Sequence, residues 1–299
     1  MIHGIINIYK EKGYTSHDVV AKARGILRER KIGHTGTLDP EAEGVLPICI
    51  GKATKVVSYL TDADKCYEAE VILGAYTTTE DATGEVVESH EVNVTRDQIQ
   101  QVVDSFNGEY TQIPPMYSAI KVNGVRLYEL ARKGIVVERP ERKVYIYKCE
   151  IIEWLTPKTF KIRVNCSKGT YIRTLCTDIG RKLGCGAHMG ALLRTKVGSY
   201  ELDQSITLSQ LETVRDHLEG HLHTLDTVFG KYPKAYAKEE AEKALYNGNK
   251  LAFSDISEVD MSEGELIRIF DKEERFIGIY KVDQETSSLT VDKMFFSRE

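Results

Sequence analysis

Lys31 to Pro47, KIGHTGTLDPEAEGVLP, sets one aspartate, one histidine and two threonines among three glycines and two prolines. Glycine lets a backbone come close to a ligand, and Pro40 pushes the preceding Asp39 out of the helical region. The stretch therefore predicts a fixed loop that presents the Asp39 carboxylate beside a strand or helix end. A presented carboxylate can act as nucleophile or base. The same Asp-Pro pair also writes an ordinary solvated turn, so the surrounding chain has to decide.

Upstream, residues 16 to 30 read as an amphipathic helix that feeds the loop, with Ser16 as its N-cap and Val19, Val20, Ala23, Ile26 and Leu27 at helical spacing. Downstream, Thr95 with Gln98 and Thr207 with Gln210 are capping-box patterns ahead of apolar periodic runs. Tyr67 to Leu73, Val144 to Ile152 and Phe160 to Asn165 alternate and carry β-branched residues, as strands do. Long strands with separated helices predict an α+β protein rather than regular βαβ units. Past Gly230 to Pro233 the pattern shifts to a short helix at 237 to 246, closed by Asn247-Gly248, and strands near 266 to 270, 276 to 282 and 289 to 294. This predicts a small β module beyond a larger domain. No internal repeat or low-complexity segment interrupts the chain.

The 299 residues are enough for one large and one small domain, and 41% hydrophobic with 28% charged residues is ordinary globular composition. No apolar run reaches the roughly 18 residues that span a bilayer, and the first residues do not read as a signal peptide, so a cytoplasmic location is expected. Six scattered cysteines without a C-x-x-C pair predict free thiols rather than a disulfide framework or a zinc site. The net charge of −5 hides a strong asymmetry. Residues 1 to 60 carry +3, 61 to 109 carry −10, 110 to 200 carry +11 and the remainder −9. Cations clustered in this way suit a phosphate-binding face, because counterion release rewards them whatever distant acids do; solvated strand faces are the plain alternative.

Two further segments carry chemistry. In KGTYIRTLCTDIGRKLGCGAH, Lys168 to His188, a Gly-Thr turn opens a helix with Tyr171 and Arg173 in its first turn. The helix dipole disfavours an arginine there, which points to an anionic partner, and Asp39 is the candidate. In PPMYSAIKVNGVRLYELARKG, Pro114 to Gly134, Lys121, Arg126, Arg132 and Lys133 are interleaved with Tyr117 and Tyr128. That mixture suits the gripping of phosphates and unstacked bases, although an amphipathic helix with core tyrosines fits as well.

From near its first residue to near its last, the chain resembles the TruB-type tRNA pseudouridine synthases. GHTGTLDPEAEGVLP is similar to that family's catalytic loop and Lys65-Cys66-Tyr67 to its base-stacking segment. PPMYSAIKVNGVRLYELAR matches its RNA-gripping insertion and KGTYIRTLCTDIG its arginine motif, all four in the family's order. Glu11 stands where the family usually has a proline, a departure that bears on loop stiffness. The resemblance implies a pseudouridine-synthase catalytic domain over 1–232, with a mixed, largely antiparallel sheet and the insertion at about 114–143. It also implies a PUA-like RNA-binding domain over 233–299. It further implies isomerisation of uridine 55 in the T loop of tRNA by base flipping, with no cofactor or metal, in a monomer without an obligate protein partner. Asp39 would be the essential carboxylate, paired with Arg173. Tyr67 would stack on the flipped base, His34 would help displace it, Tyr171 and Leu192 would line the uracil pocket, and Lys121 and Arg126 would hold RNA. Leu193 is the alternative to Leu192 should the alignment slip.

Three readings compete. KIGH and the terminal KMFFS imitate nucleotidylyltransferase signatures, but the first histidine and the strand-first context are missing. His217, His221 and His223 have partial metal-ligand spacing, which Gly220 interrupts. A non-catalytic tRNA-binding or RNA-folding protein with the same fold shares every expectation except turnover.

Overall fold

The computed structural model describes residues 2–296; Ser297, the last residue of KMFFS, and the end of the expected C-terminal domain lie outside them. The chain begins with β1 (Gly4–Lys10), α1 (Ser16–Leu27), β2 (Ile32–His34), β3 (Glu43–Ile50), α2 (Val57–Asp62) and β4 (Lys65–Leu73). The hairpin β5 (Ala75–Thr77) and β6 (Val86–Ser89), α3 (Arg96–Asp104) and β7 (Gly108–Gln112) follow. A second hairpin, β8 (Lys121–Val122) and β9 (Val125–Arg126), leads through α4 (Leu127–Ala131) to the long strands β10 (Arg142–Thr156) and β11 (Thr159–Cys166). Then come α5 (Ile172–Leu183), β12 (Ala187–Val197), β13 (Tyr200–Glu201), α6 (Leu208–Val214) and β14 (Leu222–His223). The last part holds β15 (Lys234–Tyr236), α7 (Glu242–Tyr246), β16 (Leu251–Ala252), β17 (Leu266–Phe270), β18 (Phe276–Asp283) and β19 (Ser288–Met294).

The central sheet runs β14-β1-β3-β12-β4-β11-β10-β7, with β2 added to β3 and β13 to β12. Its pairings are antiparallel except that of β12 with β3, so the α+β, mixed and largely antiparallel architecture is as expected. Strand β4 shows why. Lys65, Tyr67, Ala69, Val71 and Leu73 alternate inward with Cys66, Glu68, Glu70 and Ile72, and the inward set other than Lys65 joins one core with Val103 and Phe106 from the α3 side and Leu175 and Ile179 of α5. Each such large apolar side chain, fully buried, contributes about 1.5–3 kcal/mol. A second core lies between α1, α6 and the strands β1 and β3. The C-terminal five-stranded sheet, β15-β17-β18-β19-β16, has its own core, while Ile279 and Phe295 pack with Ile5, Val45 and Phe229.

Helix starts follow local chemistry, with corrections. Thr95 and Thr207 form the expected capping boxes. The N-cap of α1 is Thr15, not Ser16: Thr15 boxes with Asp18, and the Ser16 hydroxyl turns inward to accept from Leu38 N in the loop that carries Asp39. The helix also stops at Leu27, with Arg28 in the left-handed region, rather than at 30. The insertion is no continuous amphipathic helix. Asn123 and Gly124, both at positive φ, turn β8 back onto β9, and only five helical residues follow. The expected helix at 237 to 246 is shorter, a 3-10 turn and then α7, because Ala237 pairs with Ile256 instead.

Candidate active site

The loop carrying Asp39 is anchored on both sides by hydrogen bonds. The Ser16 hydroxyl accepts from Leu38 N at 2.9 Å, the buried Thr35 hydroxyl donates to Pro47 O at 3.1 Å, and the Pro40 carbonyl accepts from Gly13 N at 2.9 Å. Lys10, wholly buried, reaches the same Pro40 carbonyl with Nζ at 3.1 Å, and burial pulls its ammonium down to about 8. Gly44, at φ +107°, is needed where the loop re-enters β3: a Cβ there would stand 2.2 Å from Arg194 O.

Arg173, the second residue of α5, closes the site from the other side. Its Nε lies 3.0 Å from Asp39 Oδ2, with the Arg173 side chain 7% exposed and the Asp39 side chain 42% exposed. The same guanidinium donates to Tyr117 O at 2.8 Å and Thr79 O at 3.1 Å, and its Nε lies 3.9 Å from Asp81 Oδ2. Four residues from three separate segments thus converge on one cation. The anionic partner expected from an arginine in the first turn of a helix is present. Asp81 Oδ1 is occupied by Thr79 Oγ1 at 2.7 Å and Thr83 N at 2.9 Å, which leaves Oδ2 for the arginine. Behind it, Glu80 sits at φ 65°, its carboxyl raised by burial and held by the Thr174 hydroxyl at 2.7 Å.

Tyr67 and Leu192 share the inward face of the sheet: Tyr67 pairs in register with Arg194, and Ala69 with Leu192. Both lie in one core cluster with Leu38, Ala42 and Ile172. Leu193 points to the opposite face, beside Glu68, so of the two neighbours it is Leu192 that lies on the Tyr67 side of the sheet. Burial raises the Tyr67 phenol, opposed by Arg194, and the charge of Asp39 acts on it too. Tyr171 is the N-cap residue of α5 rather than part of its first turn, and it makes no side-chain cap bond. Burial raises its phenol, which the Ser118 hydroxyl, Arg142 and Arg173 counter. His34 ends β2, edge-on to His17 at 5.2 Å; burial lowers its imidazole, and Nδ1 accepts from Gly36 N at 3.3 Å.

The structure thus brings Asp39, Tyr67, Tyr171, Arg173 and Leu192 around one centre. Lys121 and Arg126 stand apart, paired across the exposed β8/β9 hairpin, and Arg126 bonds the Tyr128 hydroxyl at 2.9 Å. The hairpin's base reaches the centre through Tyr117 O. Sequence reasoning missed Asp81, Arg194 and Gln112. Gln112 bonds Tyr171 N at 2.7 Å and Tyr171 O at 3.0 Å, fixing the backbone of the N-cap residue of the helix that carries Arg173. A groove of about 920 Å³ floored by Cys66 and Asn165 opens on the sheet face away from Tyr67 and does not include Asp39. Among the described residues, no cluster of three or more His, Cys, Asp or Glu side chains is placed to hold a metal ion, and His223 packs edge-on to Tyr200.

Residues 24–172 match the TruB family pseudouridylate synthase N-terminal domain, and residues 173–229 match the tRNA pseudouridylate synthase B C-terminal domain. A protein of Lachnoclostridium phytofermentans named tRNA pseudouridine synthase B is 49% identical, covering 98% of this chain and all of its own. Its namesake in Staphylococcus aureus is 45% identical over 99% of this chain and all of its own. Among solved structures, a chain from a Cbf5-Nop10-Gar1 complex is 31% identical with a TM-score of 0.75, covering 98% of this chain and 85% of that one. A chain from an H/ACA RNP bound to a substrate RNA containing 2′-deoxyuridine is 29% identical with a TM-score of 0.75, covering 99% and 86%.

Proposed function

This chain belongs to the TruB family of pseudouridylate synthases, and on that premise we propose that it isomerises uridine 55 in the T loop of tRNA, with Asp39 as the essential carboxylate. Its activity is that of a tRNA pseudouridine synthase, an isomerase. The observation that carries the site assignment is the 3.0 Å approach of Arg173 Nε to Asp39 Oδ2, on the same side of the sheet as Tyr67.

The base must leave the folded loop to be reached, at a cost of a few kcal/mol. Stacking on Tyr67 returns about 1–3 kcal/mol, and His34 replaces the base in the loop. The bond between sugar carbon C1′ and uracil N1 then breaks, the base turns between Tyr67, Tyr171 and Leu192, and C5 bonds to the same C1′. The C5 proton leaves and N1 gains one, so the atoms balance. Attack on the sugar carbon and removal of a sugar proton both need a carboxylate oxygen at the place where Arg173 holds Asp39.

Lys121 and Arg126 supply phosphate contacts from the insertion, about 114–143. Residues 1–232 form the catalytic unit, and 233–299 a PUA-like RNA-binding domain. The chain works as a cytoplasmic monomer without an obligate protein partner; no helix among the described residues is long and apolar enough to cross a membrane. Mapping pseudouridine in total tRNA from cells lacking this protein tests the reading. Loss confined to the T loop is expected, and an unchanged T loop would overturn it.

A further inference from the structure

Arg194 is the largest fully buried side chain of the described residues, 1% exposed. Its Nε donates to Val45 O at 2.8 Å and its Nη2 to Gly36 O at 3.4 Å, and Tyr67 is its partner in register across β4 and β12. Among the described residues it forms no ion pair with a carboxylate. The charged or titratable groups that feel it are Lys10, Lys65, His34 and Tyr67. A buried cation without a counter-ion is costly, and a well-packed apolar side chain of similar volume would stabilise the fold at least as well. The position of this one, between the catalytic loop and the ring expected to stack on uracil, is therefore hard to explain by stability alone.

We propose that Arg194 is a positioning residue for the reaction: it ties the loop around Gly36 to the strand pair that carries Tyr67, and from beside the Tyr67 ring it supplies positive charge to the detached uracil. This rests on the reading that Tyr67 meets the flipped base. When the C1′–N1 bond breaks in the proposed reaction, its electron pair departs on N1 and the uracil becomes an anion. The new C1′–C5 bond is made from electrons of that anion, the C5 proton then leaves, and N1 is protonated. Between those two bonds the free base carries a charge that the pocket must accommodate without water. Lys10 feels the carboxylates of Glu43, Asp39 and Glu41, and Lys65 those of Asp62 and Asp64. Arg173 is committed to Asp39 and two carbonyls. Arg194 is the cation whose charge is left uncancelled on the Tyr67 side.

The test uses the full chain and a tRNA transcript, comparing wild type with Arg194→Gln and Arg194→Lys. Tyr67 is followed by NMR of ring-carbon-labelled tyrosine, assigned with Tyr67→Phe. Arg194→Gln is expected to stay folded, to keep tRNA affinity within about three-fold, to lose about a hundred-fold or more in single-turnover rate, and to displace the Tyr67 resonance. Arg194→Lys, which keeps the charge, should retain at least about ten-fold more rate than Gln. A folded Gln variant with near wild-type rate, equal rates in Lys and Gln, or lost rate with an unmoved Tyr67 resonance would each overturn the proposal. Should Gln not fold, Lys decides: a slowed rate at unchanged KM with a displaced resonance supports it, and a wild-type rate or an unmoved resonance refutes it. An inactive wild type would instead remove the proposed function itself.

Discussion

Asp39 and Arg173 meet at 3.0 Å across 134 residues of sequence. Because Arg173 also satisfies Thr79 O and Tyr117 O, replacing it strands two carbonyls and a carboxylate at once. Removing one partner of a buried pair costs roughly 3–5 kcal/mol, an upper bound here because Asp39 is partly exposed. Arg173→Lys cannot reproduce the planar fork. Urea denaturation should show a loss of stability in both Arg173→Met and Arg173→Lys, and single-turnover assays a rate at least about a hundred-fold lower.

Asp39→Asn keeps shape and hydrogen-bonding length while removing the charge. Filter binding should give tRNA affinity within about three-fold of wild type, with no pseudouridine formed. Undiminished turnover would remove Asp39 from the chemistry.

Gln112→Leu deletes two hydrogen bonds to the Tyr171 backbone and leaves the part-buried Tyr171 N–H unpaired, at about 1–3 kcal/mol, while the Tyr171 carbonyl keeps Leu175 N. A lower melting temperature and a reduced rate are expected, because Tyr171 immediately precedes the helix that positions Arg173. A variant with wild-type melting and kinetics would show that Gln112 is dispensable.

His34 gives a pH test with a definite sign. Burial lowers its imidazole below the ordinary 6.5, so between the folded value and 6.5 the unfolded chain binds a proton that the folded chain does not. Its contribution to stability is complete above 6.5 and is lost as pH falls through the folded value. Comparing denaturation at pH 7 and pH 5.5, wild type should lose more stability than His34→Asn; equal losses would refute the shift.

Lys121→Ala with Arg126→Ala removes two exposed cations from the β8/β9 hairpin. If both meet phosphates, the slope of log affinity against log salt should flatten by about 1.5–2, while the rate at saturating tRNA stays the same. An unchanged slope would place RNA elsewhere.

Much of this was legible because the signals were local. The alternation of residues 65–73 is set by the period of a strand, and Thr95 with Gln98 spells its own helix start. Asp39 and Arg173 could be paired from sequence because each is anomalous where it stands, one before a proline in a glycine-rich loop, the other at the positive end of a helix. Arg194 is not anomalous in sequence. It reads as one more cation on an alternating strand, and only the pairing of β12 with both β3 and β4 buries it. Gln112 and Asp81 act through partners 59 and 92 positions away, a distance no local pattern encodes. Thr15 and Ser16 are both good caps, and what separates them is the pull of Leu38 on the serine.

The four-way convergence on Arg173 also bears on how the protein is made. Translation delivers Asp39, Thr79, Asp81 and Tyr117 well before Arg173 leaves the ribosome, and α5 must then dock before the carboxylate has its cation. A nascent or prematurely terminated polypeptide that stops short of this helix holds the acid without the group that aims it. Such a fragment should be chemically silent toward tRNA even if it folds in part.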